Sequence, residues 1–317
     1  MHHGTVDTDT LLALKLLSKS IDKANLPSSK LDENLIIASW NIREFGKKHR
    51  STKALHLVAE ILGQFDLIAV VELRENLSDL REVLEYLGSY WKAVYSDSVN
   101  DPGGNWERLC FIYDERAVQF HGFAGNVHPK RKKVGAEYVY DKSFWRPPYM
   151  ASFCSGNFDF VALSAHMRWG SDNQERQEEI ERFATWIKDR VKRRTLGDTD
   201  IIVFGDFNTV NEAMTKALLK EGLEVPTALK NVKTNSKETK HYDYILYLPD
   251  FTKAFTNRGD VLKAWAGIGS KLFPDLSATE LTYQLSDHYP IWMELNTDND
   301  QEQRDATIQL RKKRAGG

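Results

Sequence analysis

Apolar residues along the chain fall into short runs, and most of those runs end on polar side chains able to do chemistry. Residues 35–40 (Leu-Ile-Ile-Ala-Ser-Trp) read as a strand buried on both faces, because a continuous apolar run of this length suits the interior of a sheet. Upstream, residues 8–24 have helical composition until Pro27, Ser28 and Ser29 break the pattern. A helix over 52–63 leads into the apolar run 66–71, and a second helix over 78–87 precedes a strand at 91–95. This is β-α-β-α-β order.

The middle of the chain is richer in strands, expected at 109–113, 118–120, 134–140, 149–154 and 158–164. The turn Ser155-Gly156-Asn157 predicts an antiparallel hairpin between the last two. A long charged helix over 174–193 feeds the apolar strand 201–204, and further strands follow at 244–248 and 290–294. Together these elements predict α/β layers around two packed sheets. Beyond Asn296 the chain turns polar, and 301–314 reads as a solvated helix or a frayed tail ending in Arg311, Lys312, Lys313 and Arg314.

Composition narrows the class without naming a substrate. With 41% hydrophobic and 28% charged residues in a chain of 317, wholesale disorder is excluded. The formal net charge of -2 provides no global positive field, so contact with a polyanion must rest on local clusters of Lys and Arg such as Lys130-Arg131-Lys132-Lys133. Cys110 and Cys154 are the two cysteines, and both read as reduced core thiols, which favours a cytoplasmic protein. The apolar stretch 11–17 follows Asp7 and Asp9 and contains Lys15, so it reads as an amphipathic helix and not as a leader. No run approaches the roughly 18 apolar residues of a membrane span, and a soluble protein is expected.

The candidate chemistry sits at strand ends. Ser39-Trp40-Asn41-Ile42-Arg43 closes the first strand and Val71-Glu72-Leu73-Arg74 the second. Ser164-Ala165-His166 and Gly205-Asp206-Phe207-Asn208 close two more, and Ser286-Asp287-His288 precedes the last. Phosphodiester cleavage needs a cation for the phosphoryl oxygens, a base for the attacking water and help for the leaving alkoxide. Hard oxygen ligands and histidines at converging strand ends can supply these. Taken singly, Asn41 could be a strand terminator, Glu72 a solvated rim carboxylate and His166 a satisfied core histidine.

Jointly and in this order, the motifs from 35 to 295 resemble those of the endonuclease/exonuclease/phosphatase superfamily, with Gly-Asp-Phe-Asn and Ser-Asp-His-Tyr-Pro the most specific pieces. Within it, Trp40-Asn41-Ile42-Arg43-Glu44-Phe45-Gly46 and Val71-Glu72-Leu73-Arg74 are similar to segments of the deoxyribonuclease I branch. Trp106-Glu107-Arg108 and Arg146-Pro147 are also similar to that branch, with lower specificity. The resemblance implies a four-layered α/β sandwich of two mixed sheets flanked by helices. It would span 31–297, between a helical N-terminal extension (1–30) and a polar, basic-ended tail (298–317).

The same resemblance implies roles for particular residues. Glu72, Asn41 and Asp287 would hold Mg²⁺, with Mn²⁺ as a substitute. Asp206 and Asn208 would position the water and the phosphate. His288, oriented by Asp243, would act as base or phosphate donor, and His166, oriented by Glu107, would assist the leaving group. Arg43, Arg74, Arg146 and Asn41 would contact substrate. Asn105 stands near where that branch carries a DNA-stacking tyrosine, and there is no paired-cysteine scaffold. The expected activity is a DNA endonuclease with nucleic acid as partner, no membrane and no obligate protein partner. A phosphatase or phospholipase-type hydrolase acting on inositol phosphates or sphingomyelin, or a catalytically silent nucleic-acid-binding scaffold, are the alternatives.

Overall fold

The computed structural model describes residues 3–298 except 32, 141, 194, 195 and 197. Helix α1 (Thr8–Asp22) starts where the Asp7 carboxylate accepts the Thr10 N–H at 2.8 Å. It buries Ala13, Leu14, Leu17 and Ile21, a stripe at helical spacing, in the same hydrophobic core as the rest of the chain. Then come β1 (Asn34–Phe45), α2 (Thr52–Leu62), β2 (Leu67–Leu73), α3 (Ser78–Leu87), β3 (Trp91–Tyr95), β4 (Val99–Asn100) and β5 (Trp106–Asp114). The strand-rich middle holds β6 (Gln119–Asn126), β7 (Arg131–Val134), β8 (Glu137–Tyr140), β9 (Tyr149–Ser155) and β10 (Phe158–His166). After α4 (Asn173–Arg193) follow β11 (Ile201–Asp206), α5 (Glu212–Leu219), β12 (Asp243–Tyr247), β13 (Phe255–Val261), α6 (Gly269–Leu272), α7 (Ala278–Gln284) and β14 (Ile291–Asn296).

Two mixed sheets form the centre. One runs β13-β14-β1-β2-β5-β3, with β4 added to β5, and the other runs β12-β11-β10-β9-β6. In the first, β1 and β2 are parallel while β14 lies antiparallel to β1. In the second, β10 and β11 are parallel, and β9 and β12 flank them antiparallel. Their inner faces interdigitate through aromatic rings: Phe111 of β5 meets Phe153 of β9 at 5.6 Å and Phe204 of β11 at 6.1 Å between centroids. Helices cover the outer faces, giving the four-layered α/β sandwich. In β1, residues from Leu35 to Trp40 are almost wholly buried, as a strand covered on both faces requires.

The structure corrects several sequence expectations. Residues 134–140 are not one strand: β7 and β8 form a separate two-stranded ribbon, and Gly135 at φ +61° makes the reversal. The strand expected at 118–120 is the longer β6, with Val118 buried just before it. Cys110 is buried, but Cys154 is only half-buried, so it is not a core thiol; both are free. Helices α5 and α7 and strand β13 had no predicted counterpart. The basic end of the tail, with Arg311, Lys312, Lys313 and Arg314, lies outside the described residues. Among the described residues, no helix is long and apolar enough to cross a membrane.

Candidate active site

The parallel pairs in the two sheets bring their C-terminal ends to one edge. In the second sheet His166, Asp206 and Asp243 are direct register partners across β10, β11 and β12. Such close approach needs Gly205: its φ is +136°, and a Cβ there would lie 1.8 Å from the Ala165 carbonyl oxygen. In the first sheet Asn41 of β1 sits opposite Val71, one residue before Glu72. The β2–β5 register slips between Val70 and Leu73, and Glu72 within that bulge takes φ +63°. A bulge of this kind re-aims a side chain that regular alternation would send elsewhere.

Asn41 joins the two sheets. Its amide donates to Glu72 Oε1 at 3.0 Å and to Asp206 Oδ2 at 3.1 Å, while its own Oδ1 is buried without a hydrogen-bond partner. Glu72 Oε2 accepts the Glu44 N–H at 2.8 Å, and Arg74 stands 3.7 Å from both the Glu72 and the Glu44 carboxylates. A buried, unpartnered amide oxygen beside a carboxylate offers two hard oxygen donors, so Asn41 and Glu72 fit a hard divalent cation. A second group of donors, from Asp206, Asp243 and His288, converges within 4.8 Å. Within this group His288 and Asp243 are hydrogen-bonded to each other, while Asp206 accepts from Asn41 and from the Asn208 N–H.

Two carboxylate–histidine pairs flank Asp206. Asp243 Oδ2 lies 2.7 Å from His288 Nδ1 and accepts the Thr234 hydroxyl at 2.5 Å. His288 Nε2 then lies 4.0 Å from Asp206 Oδ2. On the other side Glu107 hydrogen-bonds His166 Nδ1, and His166 Nε2 lies 3.9 Å from the same Asp206 oxygen. Glu107 also accepts the Glu72 N–H at 3.2 Å, tying the histidine pair to the oxygen donors. Arg146, itself held by Asp101 at 2.7 Å, sits 3.0 Å from Glu107 Oε2.

The electrostatics follow from this crowding. Burial opposes a charged His288, but Asp243 and then Asp206 outweigh it and push the imidazole up to about 10. Burial, reinforced by Asp243, pushes Asp206 up to about 6 against the pull of His288 and His166. For His166 burial again works against charge, and Glu107 outweighs it, so its basicity rises. Burial would raise Glu107, yet His166 and Arg146 hold it well below the usual carboxylate range.

The structure therefore gathers Asn41, Glu72, Glu107, His166, Asp206, Asp243 and His288 around one point, with Arg74 and Arg146 buried against their carboxylates. Asn208, at φ +50°, donates its N–H to Asp206 Oδ1 at 2.9 Å and its amide to the Met167 carbonyl at 3.1 Å. Arg43 and Asp287 stand at the rim. Arg43 binds Thr282 and Tyr283 at 2.5 and 3.0 Å and lies 3.8 Å from Asp287, whose side chain is 41% exposed.

Several residues that shape the site carry little sequence signal. Ser286 accepts the His288 N–H at 3.1 Å and donates to the Asn41 carbonyl at 2.6 Å, locking the histidine loop onto β1. Its place at the head of Ser-Asp-His was the available clue. Arg176 of α4 donates to the Asn208 carbonyl, Thr234 donates to Asp243 from nine residues upstream, and Asp101 holds the Arg146 that stands beside Glu107.

Solved structures share this architecture at low sequence identity. An endonuclease/exonuclease/phosphatase from Bacteroides vulgatus superposes with a TM-score of 0.57 at 13% identity, covering 83% of this chain and 98% of that one. Truncated Caenorhabditis elegans TDP2 gives 0.55 at 14%, covering 83% and 97%. A mannosyl-6-phosphatase of Bacteroides thetaiotaomicron gives 0.53 at 16%, covering 82% and 99%. No curated protein sequence matches the chain. The sequence profile of the Endonuclease/Exonuclease/phosphatase family matches residues 38–288, and with that span containing the whole constellation just described, the chain belongs to this family of hydrolases.

Proposed function

We propose that the protein is a divalent-metal-dependent phosphodiesterase that hydrolyses DNA as an endonuclease. The observation that carries the reading is the pair of histidines, each oriented by its own carboxylate, facing one oxygen of Asp206. That arrangement suits a phosphodiester, which needs one proton taken from water and another given to an alkoxide.

Asn41 and Glu72 would hold the cation, which when bound would neutralise charge on the phosphoryl oxygens. Asp206, ionised above about pH 6, accepts the proton of the attacking water as the new P–O bond forms. His288, kept protonated by Asp243, donates a hydrogen bond from Nε2 to a non-bridging oxygen. As the P–O bond to the leaving group breaks, protonated His166 gives its Nε2 proton to the departing oxygen, and Glu107 compensates the charge on the ring. Asn208, fixed by Asp206 and Met167, orients the phosphate.

Support for a nucleic acid over a small phosphate ester comes from the surroundings. Arg43 brings a partly exposed cation to the rim of the cleft, with Arg74 and Arg146 buried behind it against the site's carboxylates, and Trp106 and Trp169, 47% and 63% exposed, stand one residue before Glu107 and three after His166. Arginines suit a chain of phosphates, and exposed aromatic rings can stack on unpaired bases. The test is parallel incubation with plasmid DNA, single-stranded DNA, RNA, inositol phosphates and sugar phosphates in Mg²⁺. Internal cleavage of DNA is expected; release of phosphate from the small esters with intact nucleic acids would overturn the reading in favour of a phosphatase.

A further inference from the structure

At the other end of the second sheet, three unlike donor groups meet. Cys154 of β9 pairs in register with Asp159 of β10 and with Gln119 of β6. His121, two residues beyond Gln119, stands where the β6–β9 register shifts between Phe120 and Ala124, and its ring reaches the same cluster. The result is measurable: His121 Nδ1 lies 3.8 Å from Asp159 Oδ1, and those two groups and Cys154 Sγ all offer atoms within 4.8 Å of one another. β10 runs from this cluster to the active site, and the seven residues between Asp159 and His166 put roughly 23 Å between them at ~3.3 Å per residue.

A tetrahedral Zn²⁺ with one sulfur, one nitrogen and one oxygen ligand separates these donor atoms by about 3.3–3.6 Å. The His121–Asp159 separation of 3.8 Å is within about half an ångström of that, and both side chains are exposed enough, at 46% and 60%, to close it by small rotations. We propose that His121, Cys154 and Asp159 form a binding site for a thiophilic divalent cation of the Zn²⁺ class, separate from the active site, with water from the open side as the fourth ligand. Binding forms a bond from the metal to the Cys154 sulfur and releases the thiol proton to solvent, with no change of oxidation state. Because the thiol must lose its proton to bind the metal, affinity weakens as pH falls.

The chemistry of the donors separates this site from the active one. Sulfur and imidazole select Zn²⁺-class ions over Mg²⁺, while the oxygens of Asn41 and Glu72 suit the harder ion. β6 is an edge strand of its sheet, and a cation held by three strands would clip that edge to β9 and β10.

Co²⁺ titrated into the full chain in excess Mg²⁺ is the direct probe, because a thiolate–Co²⁺ bond absorbs in the near ultraviolet. The band should saturate at one equivalent, vanish in Cys154→Ser, and require at least about tenfold more Co²⁺ in His121→Ala and in the exposed Asp159→Asn. Added Zn²⁺ should displace it and raise the melting temperature of the unsubstituted protein but not of Cys154→Ser. Absence of the band would overturn the proposal. So would a band that survives Cys154→Ser, or one whose titration is unchanged in both His121→Ala and Asp159→Asn.

Discussion

His166 and His288 each bring Nε2 near the same oxygen of Asp206, at 3.9 and 4.0 Å. One comes from the end of β10 and the other from the loop before β14, so the two sheets each contribute one histidine. Removing the shared carboxylate or either ring should therefore damage turnover far more than folding. Asp206→Asn and His288→Ala are expected to lower kcat by at least about a hundredfold. Because burial disfavours the Asp206 charge, Asp206→Asn should melt no lower than the unsubstituted protein. Asp243→Asn should also lower kcat, through loss of the partner that orients His288. Near-native kcat in Asp206→Asn would remove the acid–base assignment.

Chelation tests whether Asn41 and Glu72 hold a cation. Activity should disappear in excess EDTA and return with Mg²⁺ or Mn²⁺, since hard oxygen donors favour those ions. Glu72→Gln should raise the Mg²⁺ concentration needed for half-maximal activity. Full turnover in EDTA would rule out the cation.

The arginines separate substrate binding from architecture. Arg43 is partly exposed at the rim, so Arg43→Ala should raise KM for DNA and reduce its salt dependence by a log–log slope of about 0.9, with little effect on a nitrophenyl phosphodiester. Arg146 is buried between Asp101 and Glu107, and Arg146→Ala would strand two carboxylates. A loss of about 3 kcal/mol or more in urea denaturation is expected there. Equal loss of both activities in Arg43→Ala would assign Arg43 to the chemical step or to the fold.

Asp66 predicts a pH dependence of stability unconnected with activity. Burial raises its carboxyl from 3.8 to about 6, even though it accepts the Ile36 N–H at 2.7 Å. Between those values the folded protein keeps the proton that the unfolded chain releases, so this group's contribution declines as pH rises through the window. Asp66→Asn keeps an acceptor and loses the charge. It should be more stable than the unsubstituted protein by about 1–3 kcal/mol at pH 7.5 and by much less at pH 4, measured by urea melts at each pH.

What the sequence disclosed and what it hid have a common physical origin. Asn41, Glu72, His166 and Asp206 stood out because each ends an apolar run long enough to be a buried strand, and strand ends are where a sheet can expose chemistry. Ser286 stayed hidden because its role depends on a partner brought near only by folding: it serves Asn41 from 245 positions away. The 134–140 segment alternates like a single strand, and only the left-handed Gly135 reveals the reversal. β13 escaped because it is an edge strand, largely exposed, with the polar sequence Phe-Thr-Asn-Arg-Gly-Asp-Val and no apolar face to notice.

Glu72 holds its backbone at φ +63° and Asn208 holds its own at +50°, conformations that cost an L-residue about 1–2 kcal/mol. Glycine at position 72 would relax that region while deleting the carboxylate. A laboratory selection rewarding only resistance to heat would thus drift toward sturdier, inert descendants, and an engineer seeking a robust catalyst must screen for turnover at every round.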